Sequence, residues 1–188
     1  SPKITIMSQS KKKHDYNRPL VSSIVPCYNR KEMLKRTIKS LVNQTYINHQ
    51  IIFVDDGSIQ ILEPFLKDQL KAFKGNWKII RISYNSGPGI ARKVGMQNCN
   101  GDYIQFIDSD DEALPDKISK QLKTLEDNKG LLMTYGTTLV GKRDEDMVVL
   151  GRTNKAKQKI APLFPYNVYW TTSSILWRKE YISEDSWF

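Results

Sequence analysis

Between Leu20 and Asp111 the chain repeats one pattern, a short apolar run, then a polar or glycine-bearing cluster, then a stretch with helical spacing. Residues 20–25 form the first run, closed by Pro26-Cys27-Tyr28-Asn29. Residues 51–54 end at Asp55-Asp56-Gly57-Ser58, residues 78–82 precede Asn85-Ser86-Gly87-Pro88-Gly89, and residues 103–107 end at Asp108-Ser109-Asp110-Asp111. Apolar runs this short, bounded by turn-forming residues, read as buried strands. Between them the apolar residues recur at helical spacing. Residues 31–44 carry Met33, Leu34, Ile38, Leu41 and Val42, and residues 61–73 carry Leu62, Phe65, Leu66, Leu70 and Phe73. Residues 115–125 read as a further helix, and residues 131–135 and 173–177 as further strands. Asn29, with Glu32 three residues on, fits a helix start. Ser86 is expected as a cap, with Pro88 in the first turn behind it.

Strands alternating with helices predict an α/β fold, a mainly parallel sheet flanked by helices. In such sheets ligands bind beyond the carboxyl ends of the strands. The clusters at 28–29, 55–58, 85–89 and 108–111 are therefore expected to meet at one edge, although they are far apart in sequence.

A length of 188 residues suits one domain, or one domain with a tail. Residues 1–19 read as a polar, basic leader or linker, with Lys11-Lys12-Lys13-His14 as a disordered arm. No apolar run has the length needed to span a bilayer, and the first residues lack the apolar core of a signal peptide. The net charge of +9 favours either a solvated basic surface or attraction to phosphorylated substrates and acidic membrane surfaces. No nucleic-acid motif accompanies that charge, so nucleic acid is not an expected partner. The expected location is cytoplasmic, with peripheral contact at a membrane. Cys27 and Cys99 lack a CxxC partner and are expected to be free thiols.

The acidic cluster at 108–111 carries the most chemistry. Carboxylates crowded at a strand end repel one another. A hard divalent cation such as Mg²⁺ or Mn²⁺ resolves that repulsion and binds diphosphates well. The plain alternative is a solvated turn with Asp111 capping the next helix. Asp55 and Asp56 offer a carboxylate to a base or ribose, or form an ordinary turn. The 85–92 segment places glycines before a helix, where free N–H groups favour anions, and Arg92 and Lys93 add positive charge. A dinucleotide fingerprint is disfavoured, because the GxG follows the third strand and Arg92 occupies the third glycine's place.

Together, Val25-Pro26-Cys27-Tyr28-Asn29, Val54-Asp55-Asp56-Gly57-Ser58, Asn85-x-Gly87-x-x-x-Ala91-Arg92-x-x-Gly95 and Gly101-Asp102-Tyr103-Ile104-x-Phe106-Ile107-Asp108-Ser109-Asp110-Asp111 resemble the family 2 glycosyltransferases with the GT-A fold. The resemblance covers roughly residues 20–135 and, less closely, 136–188. It implies a domain over residues 20–188, with a nucleotide-sugar-binding half at 20–111 and an acceptor-side half, expected to be truncated, at 112–188. Pro26, Tyr28 and Asn29 would line the nucleotide pocket. Asp56 would face the base, uracil if the donor is a UDP-sugar. Arg92 would lie near base or phosphates, Asp108 and Ser109 on the ribose and sugar side, and Asp110 on a Mn²⁺ or Mg²⁺ ion bridging the diphosphate. The family's base is an Asp in a later Glu-Asp pair, here Glu184-Asp185, which sits closer to Ser173-Ser174 than the family's insert would place it. The implied reaction is an inverting transfer to a glycan or lipid-linked hydroxyl.

The alternatives lie in other classes. One is a nucleotide-sugar-binding module without catalysis. Another is a phosphatase with a DxD nucleophile, where Glu112 holds the place of the usual Thr or Val. A sugar nucleotidyltransferase would need a glycine-rich basic loop after the first strand, and Pro26-Cys27-Tyr28-Asn29 is not one. Tyr166, Tyr169, Trp170, Trp177 and Trp187 suit sugar stacking, although core packing is the commoner fate of such residues.

Overall fold

The structure is a computed structural model, and it describes residues 2–9, 17–140, 148–150 and 171–183. In chain order the strands and helices are β1 (Ile4–Gln9), β2 (Val21–Cys27), α1 (Lys31–Val42), β3 (His49–Asp56), α2 (Glu63–Gln69), β4 (Asn76–Ile82), α3 (Pro88–Gln97), β5 (Tyr103–Phe106), α4 (Lys117–Asp127), β6 (Met133–Tyr135), β7 (Thr138–Val140), β8 (Val148–Leu150) and β9 (Ile175–Arg178). The main sheet has seven strands in the order β1-β4-β3-β2-β5-β9-β6, and β7 pairs with β8 in a separate ribbon.

The four central strands, β4, β3, β2 and β5, are parallel. The outer pairings, β1 with β4, β5 with β9 and β6 with β9, are antiparallel. The expected mainly parallel sheet is thus parallel in its centre and mixed at both flanks. Every residue of β2 and β3 is buried, as a doubly covered strand requires.

Strand alternation sorts the core into two faces. On one, Val25, Ile51, Phe53 and Ile79 pack with Leu34, Ile38 and Leu41 of α1 and with Leu66 of α2. The same face continues over β5, where Tyr103 packs with Ile118, Leu122 and Leu125 of α4. On the other, Ile24, Ile52, Val54, Ile80 and Phe106 pack with Ala91, Val94 and Met96 of α3. Gly95 lets α3 come close, since a Cβ there would lie 2.3 Å from Ile24 Cγ2. Both cysteines are buried and free. No helix among the described residues is long and apolar enough to cross a membrane.

Several local expectations are corrected. Residues 4–9, read as part of a leader, form the edge strand β1, held on β4 in the register Ile4↔Ile82 to Gln9↔Trp77. Backbone pairing supplies what the composition of that segment lacks, and Ile4 and Ile6 stay exposed. The Lys11-to-His14 arm lies outside the described residues. Arg30, not Asn29, stands at the cap of α1, without a side-chain cap bond. Gly87, not Ser86, stands at the cap of α3, and Pro88 opens that helix as expected. Asp116 rather than Asp111 precedes α4.

Toward the amino ends of the central strands a polar chain is buried between sheet and α4. Lys117 Nζ donates to Gln105 Oε1 at 2.6 Å, Gln105 Nε2 donates to Ser23 Oγ at 2.6 Å, and Ser23 Oγ meets His49 Nε2 at 2.6 Å. Burial pushes the Lys117 amine down to about 7. Burial, reinforced by the Lys117 charge, lowers His49 to about 3 from 6.5.

Unfolded, His49 takes up a proton near its ordinary pKa, whereas folded it stays neutral until far lower pH. Its contribution is therefore fully present above pH 6.5 and is lost as pH falls toward about 3. The slope is roughly 1.4 kcal/mol per pH unit. Replacing it by glutamine (His49→Gln) removes the titration while leaving a polar partner for Ser23. Denaturant midpoints measured from pH 4 to 7 are expected to fall less steeply in the variant than in the wild type, and parallel slopes would refute the assignment.

Candidate active site

The carboxyl ends of β2, β3, β4 and β5 open onto one cleft of about 400 Å³. Its wall includes Pro26 from β2, Tyr28 and Arg30 after it, Asp56 from β3, Asn85 after β4, Pro88, Ala91 and Arg92 from α3, and Asp108, Ser109 and Asp110 after β5. Clusters distant in sequence thus share one concavity. Of the nucleotide-side residues expected from sequence, Pro26, Tyr28, Asp56, Arg92, Asp108 and Ser109 stand on this wall with Asp110, whereas Asn29 does not.

Alternation along β3 resolves the Asp55-Asp56 pair. Asp55 points to the face carrying α2, where it is buried and accepts Arg81 Nη1 at 2.5 Å and the Ser58 N–H at 3.0 Å. Asp56 points to the face carrying α3. Its Oδ1 accepts the Ser86 N–H at 2.9 Å and its Oδ2 the Gly87 N–H at 2.8 Å. Asp56 is only 3% exposed, so these bonds offset the cost of burying its charge and pin the loop that starts α3. Gly57 makes that approach feasible. It has φ +73°, and a Cβ there would lie 2.4 Å from the Tyr84 carbonyl carbon.

Asn29 also sits at positive φ, 52°. Its N–H donates to Ser58 Oγ at 3.0 Å, and its Oδ1 accepts the Ile59 N–H at 2.9 Å. It laces the β2 and β3 loops together from outside the cleft wall.

The acidic loop is held from three directions. Arg92 Nη2 donates to Asp108 Oδ1 at 2.6 Å. Arg30 Nη1 donates to Asp110 Oδ2. Ser173 accepts the Asp108 N–H at 3.0 Å and donates to Asp111 Oδ2 at 2.5 Å. Burial raises the pKa of the Asp111 carboxyl, with Asp108 and Asp110 adding repulsion and the Ser173 bond opposing both. Asp108 and Asp110 keep part of their surface open, with side chains 38% and 39% exposed. Beside them Cys27 is inert, because burial, with the Asp55 charge behind it, pushes its thiol well up.

Arg30 and Ser173 were not singled out from sequence. The signal for Arg30 was its place directly after Tyr28-Asn29, at the end of a strand. Ser173 had no sequence signal, since it reaches Asp108 and Asp111 across more than sixty residues. The expected base, Asp185, and four of the five candidate stacking aromatics (Tyr166, Tyr169, Trp170 and Trp187) lie outside the described residues. Trp177 lies in β9, partly buried.

Among the described residues, no group of three or more His, Cys, Asp and Glu side chains is gathered to hold a metal by protein ligands alone. The partly open carboxylates of Asp108 and Asp110 do fit a hard cation of the kind held by one or two carboxylates together with substrate phosphates.

The sequence model of Glycosyl transferase family 2 matches residues 22–179. The chain is 36% identical over 143 residues to a protein of Haemophilus influenzae described as an uncharacterized glycosyltransferase, a match covering 74% of this chain and 55% of that one. Among solved structures, S. aureus TarS matches with a TM-score of 0.64 at 19% identity, over 85% of this chain and 28% of that one. Residues 1–349 of TarS in complex with UDP-GlcNAc match with a TM-score of 0.59 at 20% identity, over 85% and 45%. The mannosyltransferase PcManGT of Pyrobaculum calidifontis, in complex with GDP-Man and Mn²⁺, matches with a TM-score of 0.57 at 19% identity, over 65% and 38%. At these identities the structural likenesses speak to the fold. The chain spans about half the length of its Haemophilus relative.

Substituting Asp56 by asparagine (Asp56→Asn) turns one of its two acceptors into a donor facing a backbone N–H. The expected cost is about 1–3 kcal/mol of stability. Amide exchange at Ser86 and Gly87 should quicken selectively. Unchanged protection of those two amides would show that Asp56 does not hold the loop.

Proposed function

The chain belongs to glycosyl transferase family 2 and shares its GT-A fold, and we propose that its cleft binds a nucleotide-sugar, a UDP-sugar by preference, and transfers the sugar with inversion. The observation that carries this reading is the meeting of Asp56, Arg92, Asp108 and Asp110, from three separated segments, on one cleft wall. Complexes of the structural neighbours with UDP-GlcNAc and with GDP-Man and Mn²⁺ support a nucleotide-sugar donor and a divalent cation.

Pro26 and Tyr28 flank the base in this reading. Each Asp56 oxygen spends one lone pair on the Ser86-Gly87 backbone and keeps another for a base N–H. Arg92 offers positive charge to the phosphates, and Asp108 with Ser109 takes the ribose and sugar side. Mn²⁺ or Mg²⁺, when bound through Asp110 with Asp108 beside it, would neutralise charge on the diphosphate. An acceptor hydroxyl attacks the anomeric carbon from the side opposite the phosphate. The carbon–oxygen bond to the diphosphate breaks, and the hydroxyl proton passes to a carboxylate, for which we retain Asp185.

Residues 20–111 serve the donor and 112–188 the acceptor, a glycan or a lipid-linked hydroxyl. The net charge of +9 supports work on the cytoplasmic side of an acidic membrane surface.

Incubation with a panel of nucleotide-sugars, followed by product analysis, tests the reading. Release of nucleoside diphosphate together with a glycosylated acceptor is expected. Donor binding without turnover would favour the binding-module alternative. Replacement of Asp110 by asparagine (Asp110→Asn) should lower metal-dependent release by on the order of a hundredfold or more, and full activity in that variant would remove Asp110 from the site. In Asp185→Asn, turnover should fall while donor affinity holds. Unaltered turnover would move the base elsewhere.

A further inference from the structure

Arg30 lies on the cleft wall, immediately before α1, and its guanidinium is committed to Asp110. Across the cleft Arg92, from α3, is committed to Asp108. The two pairs differ in exposure. Arg92 is 15% exposed, and its Nε is buried without a partner, so it is fixed by its surroundings. Arg30 is 53% exposed and Asp110 39%, so this pair is wet, weak and free to part.

A carboxylate engaged by a guanidinium offers less of its charge to a cation. A guanidinium engaged by a carboxylate is in turn withheld from phosphate, the other oxyanion that its planar fork fits. Binding a cation alone would leave Arg30 facing added positive charge. Binding a nucleoside diphosphate alone would bring negative charge onto Asp110. Binding both together satisfies every group.

We propose that Arg30 is a diphosphate-binding residue held in reserve by Asp110, released when a divalent cation takes the carboxylate. The inference rests on the donor reading above and adds a residue and a coupling to it. Cation and nucleoside diphosphate each raise the affinity for the other, because each frees the partner the other needs. No bond to carbon or phosphorus changes in this exchange, and only ion-pair partners are swapped.

The test is calorimetric titration with Mn²⁺ alone, with UDP and GDP alone, and with each nucleotide in the presence of Mn²⁺. It compares wild type with Arg30→Gln and Arg30→Lys. Arg30 is exposed, and unchanged thermal midpoints would confirm that the variants fold. Removing the competitor should tighten Mn²⁺ alone by about three- to fivefold, the range for a half-exposed pair. The same variant should weaken nucleotide with Mn²⁺ by about tenfold. Lysine keeps the charge without the fork and should fall between. These opposite signs are what a residue that merely shapes the loop would not produce. If Arg30→Gln leaves both affinities unchanged, or lowers both together, while wild type binds nucleotide with Mn²⁺, the exchange is wrong and the donor reading survives. If wild type binds neither UDP nor GDP with Mn²⁺, the donor reading itself falls, and the exchange with it.

Discussion

Negative charge gathered at the carboxyl edge of a parallel sheet has to be answered, and the answer organises this molecule. Asp55, Asp56, Asp108, Asp110 and Asp111 all end strands or the turns that follow them. Each is met differently. Arg81 meets Asp55, backbone N–H groups meet Asp56, Arg92 and Arg30 meet Asp108 and Asp110, and Ser173 meets Asp111. The two acids sunk deepest, Asp55 and Asp56, are each paired within the scaffold, because an unpaired charge there would cost several kcal/mol. Of the two left half-open, Asp108 keeps a guanidinium fixed by its surroundings, and Asp110 has an exposed one that a ligand can replace. The gradient from fixed to exchangeable compensation separates the scaffold of the site from its working surface.

Charge compensation also accounts for the loop that begins α3. Asp56 uses both oxygens to hold consecutive N–H groups, so the loop is tied to β3 rather than capped by its own Ser86. A serine before a helix reads locally as a cap, and here a carboxylate thirty-odd residues earlier in the chain outcompetes it. Asn29 follows the same logic. Its spacing to Glu32 suggests a helix start, yet its side chain reaches Ile59, and Glu32 pairs with Lys35 instead.

The central four strands and their helices were legible because periodicity is a local property, and because strands covered on both faces carry near-continuous apolar runs. The convergence of the clusters was legible too, since topology alone sends parallel strand ends to one edge. What escaped was whatever depended on long-range pairing. Residues 4–9 lack the pattern of a buried strand and form an exposed edge strand by lying on β4. One flank turns antiparallel because β1 lies on β4, and the other because β9 inserts between β5 and β6, a placement that strand order in the sequence does not announce. The polar run Lys117, Gln105, Ser23 and His49 has no local signature either, since its members come from α4, β5, β2 and β3.

The insertion of β9 bears on function as well as topology. Arg178, at its end, donates to the Leu131 and Leu125 carbonyls and to the Tyr103 hydroxyl, fastening β9 to α4 and to the start of β5. At the other end of β9, Ser174 O accepts Gln121 Nε2 and the Gly136 N–H, so the turn before the strand is fixed from two sides. Ser173 stands in that fixed turn and reaches forward to Asp108 and Asp111. The acidic loop is therefore positioned by a strand that enters the sheet from beyond the donor half. A DxD sequence supplies the charges, but their spacing in the cleft is set by residues that follow more than sixty positions later. For that reason residues 20–111, which carry the four motifs of the donor side, are not expected to form the site without residues 171–178.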